Sequence, residues 1–202
     1  MWALVESNSI SKVYVRPTSL LLNGLRHPAN IFNLWSDAEL KAIGIYEITV
    51  DKTNRKDTDY YQNTDVTYTY NSDPDTVTGA YGTATARPIA DVLYTAEDES
   101  NGLGTEGDIK QYGLKDRHKG LINKQAYSAL QDSDWMVIRA AEGGTAVPSA
   151  WTTYRAAVRT KANDMQTLID NAANVDALAA LYIYNDDSPS VRPLGEFPDK
   201  PS

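Results

Sequence analysis

Three glycines, Gly102, Gly104 and Gly107, stand in the G-x-G-x-x-G pattern that cradles a dinucleotide pyrophosphate. That chemistry needs a buried strand before the first glycine and a helix N-terminus facing the phosphate. Here Glu97, Asp98 and Glu99 precede the pattern and would repel phosphate, while Asp108-Ile109-Lys110-Gln111 runs on to another glycine. A flexible loop is the better reading. Asn71, Asp73 and Asp75 have the opening spacing of a calcium loop, but Thr76 stands where glycine is needed and Gly82 where a bidentate glutamate should be. They read as a hairpin turn. The two histidines are too few for a three-histidine metal site and leave a histidine-based triad little room. His27 precedes Pro28 and is expected to be structural; His118, in the basic run Lys115 to Lys119, is expected at a solvated helix end or loop. No carboxylate pair is flanked by the apolar residues that would raise one pKa. The expectation is therefore no catalytic residue, no cofactor-binding residue and no metal ligand, and the chain is not read as an enzyme.

Composition narrows the remaining classes. The net charge of -8 argues against a grip on nucleic acid, which needs Lys and Arg to displace phosphate counterions, and against an anionic membrane surface. There is no cysteine, so disulfides, thiolate zinc sites and thiol nucleophiles are excluded. The opening MWALVESNSISK lacks a basic region followed by an apolar run, and no apolar stretch approaches the roughly 20 residues that span a bilayer, so a soluble protein is expected. Tyrosine outnumbers phenylalanine 13 to 2, which suits half-buried sheets and interfaces, where the ring is covered and the hydroxyl meets water or a partner.

The elements that would position such surfaces are well punctuated early in the chain. Ser36 and Glu39 have the spacing of a capping box, Trp35 and Leu40 that of a hydrophobic staple, and Gly44 a helix stop. Ile45 to Val50 then reads as a strand with period two. Val66, Tyr68 and Tyr70 alternate with Thr67 and Thr69, the turn-rich 71–75 follows, and Thr76 to Tyr81 returns as the second arm of a hairpin. Later, Ser133 is expected to cap a short helix ended by Gly143-Gly144, Ser149 to cap a longer one after Pro148, and Asn174 to cap a last one. Apolar residues at Trp151, Tyr154, Val158, Met165, Leu168, Ile169 and Ala172 form one stripe at helical spacing, interrupted by Lys161. The expected fold class is α+β, with a small Tyr-rich antiparallel β domain carrying one short helix at 1–94. An acidic, Gly-rich linker at 95–120, a helical domain at 121–185 and an extended Pro-rich tail at 186–202 follow.

Two segments resemble bacteriophage tail proteins. The first is the opening block through Arg16-Pro17 together with His27 to Asp51 and its HPxNIFxLWSxxELxAIGIY pattern. The second, Ser133 to Ile169, is similar to the C-terminal part of tail-fibre and tail-fibre-assembly proteins of marine and cyanobacterial phages. It carries Asp134-Trp135, Pro148 and Tyr154-Arg155-Ala-Ala-Val-Arg159. The resemblance transfers no catalytic residue. It implies a virion tail component made in a host cytoplasm, an adaptor or small fibre-like part of the baseplate or tail tip that contacts other tail proteins and its own copies in three- or six-fold rings. The alternatives are an assembly chaperone absent from the mature virion, or a tail-associated glycan-binding or glycan-degrading protein. Trp135, Trp151, Tyr154, Val158, Met165 and Leu168 are the expected packing or partner-contact residues of the helical part, and Trp35, Leu40 and Tyr46 those of the N-terminal core.

Overall fold

In the computed structural model, which describes residues 1–201, the Ser36–Glu39 pair closes as a reciprocal cap. The Ser36 hydroxyl accepts from the Glu39 N–H at 3.4 Å and Glu39 Oε2 accepts from the Ser36 N–H at 2.8 Å. These bonds also hold the Glu39 carboxyl below the usual carboxylate range. Chain contacts divide the protein into two units, Met1–Thr85 and Ala86–Ser202.

The first unit contains β1 (Trp2–Glu6), β2 (Ser9–Tyr14), β3 (Leu20–Leu22), β4 (Leu25–His27), α1 (Ile31–Leu34), α2 (Asp37–Ala42) and β5 (Ile45–Asp51). After them come β6 (Tyr61–Gln62), β7 (Val66–Ser72) and β8 (Asp75–Tyr81), and the two-residue β9 (Thr85–Ala86) falls at the division between the units. Five strands make a curled sheet in the order β2-β1-β5-β8-β7. The sheet is not wholly antiparallel as expected, because β5 and β8 run parallel, with Ile48 opposite Val77. The β7–β8 hairpin lies between them in sequence and reverses direction before β8 reaches β5. Alternation puts Leu4 and Ile45 in one cluster with Tyr14, Ile31, Phe32 and Leu40, and puts Ala3, Ile48 and Val77 in a second with Tyr46, Tyr68 and Tyr70. Trp35 packs on the first cluster as the staple requires, and the ring of buried His27 meets Trp35 edge-on at 5.6 Å. Two short helices occur where one was expected, since α1 ends at Trp35, whose extended backbone precedes the Ser36 cap.

Gly44 ends α2 with φ +81°, its carbonyl accepting from the Val5 N–H at 2.8 Å. A Cβ there would lie 2.9 Å from the Val5 carbonyl oxygen, so both the backbone conformation and the close approach require glycine.

The second unit holds β10 (Val92–Leu93), α3 (Ala96–Ser100), β11 (Ile109–Gln111), α4 (Leu114–Leu130), a 3-10 turn at Gln131–Ser133, α5 (Asp134–Ala141), α6 (Ser149–Asn171) and α7 (Val175–Ala180). The stretch expected as a linker, 95–120, is built instead. Thr95 and Asp98 form a second capping box, β10 pairs with β11, and α4 begins at Leu114. The Pro88 and Ile89 carbonyls accept from the Leu114 and Lys115 N–H groups, which supplies α4 with a start that no side chain announces. The basic run is not a solvated end either. Lys115 donates to the Asp170 carbonyl near the C-terminus of α6, Lys119 pairs with Asp170 at 3.0 Å, and His118 Nδ1 meets the Tyr182 hydroxyl at 2.7 Å.

The tail contains no helix or strand among its described residues, yet it is packed. Leu194 is fully buried, its N–H donates to the Leu181 carbonyl, and Lys200 pairs with Asp132. Among the described residues no helix is long and apolar enough to cross a membrane.

Candidate functional site

On α6 the buried positions are Tyr154, Arg155, Val158, Ala162, Met165 and Ile169. The i, i+4 and i, i+3 steps between Tyr154 and Ile169 lay these side chains along one face, and Ala162 replaces Lys161 as the stripe's middle position. Arg155 is the exception in this stripe, a cation with 9% of its surface exposed. Its guanidinium Nη1 donates to the Leu130 carbonyl at 3.0 Å and to the Ser133 hydroxyl at 2.6 Å, and it pairs with Asp134 at 2.8 Å. Ser133 in turn donates to the Leu130 carbonyl, and the Tyr154 hydroxyl donates to the Ala129 carbonyl. The end of α4, the 3-10 turn and the start of α5 are thus fastened to α6 by one arginine and one tyrosine. The Ser133 hydroxyl serves this junction and does not cap α5. Ser149 is the first residue of α6 rather than its cap, since Pro148, which has no side-chain donor or acceptor, occupies that place. Asn174 caps α7 as expected, accepting from the Ala177 N–H.

The junction fixes α5 and leaves its apolar side chains outside. No residue of α5 is buried. Trp135 is 54% exposed and Ile138 is 59% exposed, three positions apart on one helix face, with the Arg139 guanidinium 4.8 Å from the Trp135 ring. Of the other expected residues, Tyr154, Val158 and Met165 are buried, and Trp151 is half-buried and edge-on to Tyr154 at 5.7 Å. Leu168 stands at the margin, 37% exposed. The six therefore divide into an interior set and a surface pair, Trp135 and Leu168.

The first unit carries two arrangements that side-chain spacing alone did not single out. Tyr70 donates to Asp75 Oδ1 at 2.8 Å, Lys41 donates to the Asp75 carbonyl at 2.5 Å, and Tyr46 lies edge-on to Tyr70 at 5.4 Å, with the Lys41 ammonium over its ring. The Tyr70 hydrogen bond is the main cause of a lowered Asp75 pKa. Desolvation first, then hydrogen bonding to Asp75 and Tyr70, raises the Tyr46 hydroxyl well above the usual tyrosine range. The aspartates of the supposed calcium spacing are therefore hairpin residues, one of them engaged by a tyrosine and a lysine. The second arrangement is an open groove of about 510 Å³ walled by Met1, Ile48, Val50, Lys52, Val66, Tyr68 and Tyr81. Gly79 makes it possible. A Cβ on Gly79 would lie 2.9 Å from Val66 Cγ1 and 3.0 Å from Tyr68 Cδ1, so these two side chains lie across bare backbone.

Among the described residues no three metal-ligating side chains converge, and Gly102 and Gly107 occupy turn positions after α3 rather than a strand-to-helix phosphate cradle. Arg155 stands in the sequence three positions before Val158 of the apolar stripe, and a cation on that face needs a buried partner. Compared with protein-family models, with curated proteins and with solved structures, the chain finds no match in any of the three.

Proposed function

We propose that this chain is a structural protein of a bacteriophage tail, an adaptor or small fibre-like component at the baseplate or tail tip that works through protein–protein contacts. The observation that carries the reading is α5, an apolar helix held firmly by the Arg155 junction with Trp135 and Ile138 turned to the outside. Exposed aromatic and aliphatic side chains on a rigid element are what a partner surface uses as anchors. The same segment carries the resemblance to tail proteins, and its Asp134-Trp135 and Tyr154-Arg155 pairs meet at the junction. In this reading the helical unit contacts another tail protein or further copies of itself, and the tyrosine-rich unit docks on a neighbouring subunit.

Mass spectrometry of purified particles tests the proposal. The chain should be present in stoichiometric amount, and a Trp135→Glu, Ile138→Glu variant should fold, stay soluble and be missing from the particle. A chain that acts during infection yet is absent from particles would instead make it an assembly chaperone. Glycan turnover abolished by one carboxylate substitution would make it an enzyme of the tail.

A further inference from the structure

The β3–β4 hairpin of the first unit is a preformed finger. Asn23 and Gly24, both with positive φ, close its tip, the backbone that a tight turn between twisted strands requires. At its base Leu20 and His27, opposite each other in the register, are buried. Leu21 and Arg26 are opposite each other on the other face, while Leu25 shares the face of Leu22. Leu21 and Leu25 are both exposed, one on each face, so no single flat surface covers the two. The charge here is also unlike the rest of the chain. From Ser7 to Ser36 there is no Asp or Glu, while Lys12, Arg16 and Arg26 fall within that stretch of a chain whose net charge is -8. Arg16 and Arg26 are exposed, and among the described residues no ion pair involves either. The carboxylates of the adjoining elements lie off the hairpin: Glu6 opposite Ser9, Glu47 opposite Trp2, and Asp37 and Glu39 in the first turn of α2.

The second unit holds a matching groove. It is open, about 490 Å³ in volume, and lined by Ala180, Ile183, Tyr184, Asn185, Val191, Arg192 and Pro193. Asn185 fixes the loop beside it, donating its N–H to the Val191 carbonyl and accepting the Val191 N–H at Oδ1, both at 2.8 Å. The one cation of the lining is already engaged, since Arg192 lies over the Tyr182 and Tyr184 rings and pairs with Glu196 at 2.7 Å. Lys115 and Lys119 of α4 are held at Asp170, and Lys161 lies across Gly195 in a separate hollow with Asp164 and Glu196. Asp186 and Asp187, exposed in the loop between Asn185 and Val191, are thus the charges left beside the groove. We infer that the hairpin of one copy of the chain inserts into this groove on a second copy, with Leu21 and Leu25 in the trough and Arg16 and Arg26 against Asp186 and Asp187. The volume is in the range of small-ligand sites, room for the leucines of a hairpin tip and too little for a helix face. The contact joins unlike surfaces, so it repeats from copy to copy and either closes into a ring or runs on as a filament. The inference rests on the docking of the first unit on a neighbouring subunit, proposed above, and names that subunit as a further copy.

Sedimentation of the full chain tests it. The wild-type protein should self-associate as its concentration rises to about 100 μM, and added salt should weaken the association. Leu21→Ser with Leu25→Ser disables the finger, and Ile183→Ser with Val191→Ser disables the groove. Each pair should weaken self-association by at least about tenfold and, being at exposed positions, leave the melting temperature unchanged. Mixed in equal amounts, the two variants should form a dimer that grows no further, because one keeps the groove and the other keeps the finger. A chain with Arg16→Glu and Arg26→Glu should likewise pair only with one carrying Asp186→Lys and Asp187→Lys. Each of three results would overturn the inference: a wild-type chain that stays monomeric, self-association unchanged in either apolar variant, or no dimer on mixing. Particle composition is read separately, so a monomeric chain found in virions and a self-associating chain absent from them are distinguishable outcomes.

Discussion

Both units contain short- and long-range polar bonds, but they bury them to different depths. In the first, Ser36 bonds Glu39 three positions away and Tyr70 bonds Asp75 five positions away, all at the surface. In the second, Arg155 reaches Ser133 and Leu130, 22 and 25 positions away, with Ser133 fully buried. A bond closed within one turn or hairpin stabilises only that turn, and water replaces it when it is lost. A bond between elements stabilises their docking, and its loss strands a buried group without a partner. The first unit should therefore tolerate polar substitutions that the second does not.

Arg155→Ala should have the largest effect, about 4 kcal/mol, because the Ser133 hydroxyl and Leu130 carbonyl keep only each other and the Asp134 ion pair is lost with the guanidinium. Denaturant unfolding measures it, and a cost below that of any cap in the first unit would break the comparison. Leu194→Ala should cost about 3 kcal/mol, as for any fully buried leucine. A chain that melts unchanged would mean the tail is dispensable, contrary to its packing. Gly44→Val should cost about 2 kcal/mol from its positive φ and the approach of the Val5 carbonyl, read as a lowered melting temperature.

The smallest change concerns acid. The Asp75 carboxyl is held below its ordinary value chiefly by Tyr70, so its contribution to stability is present above the unfolded value and is lost as pH falls through the lowered folded one. Tyr70→Phe should move the Asp75 carboxyl back up toward its ordinary value in a side-chain carboxyl titration, with little change in stability at neutral pH. An unmoved titration would show that Lys41 and Tyr46 hold Asp75 without it.

The residues that were read correctly share a property with the first unit's bonds. The Ser36–Glu39 cap, the Gly44 stop, the β7–β8 hairpin and the Asn174 cap each involve partners within a few positions, so the letters contain the whole interaction. The α6 stripe was equally readable, because burial of Tyr154, Val158, Met165 and Ile169 follows helical period. The misread segments depend on partners elsewhere. The start of α4 takes its cap from the Pro88 and Ile89 carbonyls, and His118 looks solvated until Tyr182 arrives from beyond α7. The parallel β5–β8 pairing leaves no mark on either strand, since alternation is the same in both orientations.

Composition and local spacing thus sufficed to set the α+β class, the cap and stop of α2, the strand β5, the β7–β8 hairpin and which face of α6 turns inward. Each of these follows from backbone geometry over one or two turns. Folding added the placement of Trp135 on the surface while Tyr154 went inside, the docking of the proline-rich end through Leu194, and the laying of Val66 and Tyr68 across the bare backbone of Gly79. Those outcomes depend on which elements pack together, a competition among contacts between distant residues that no short window of the chain contains.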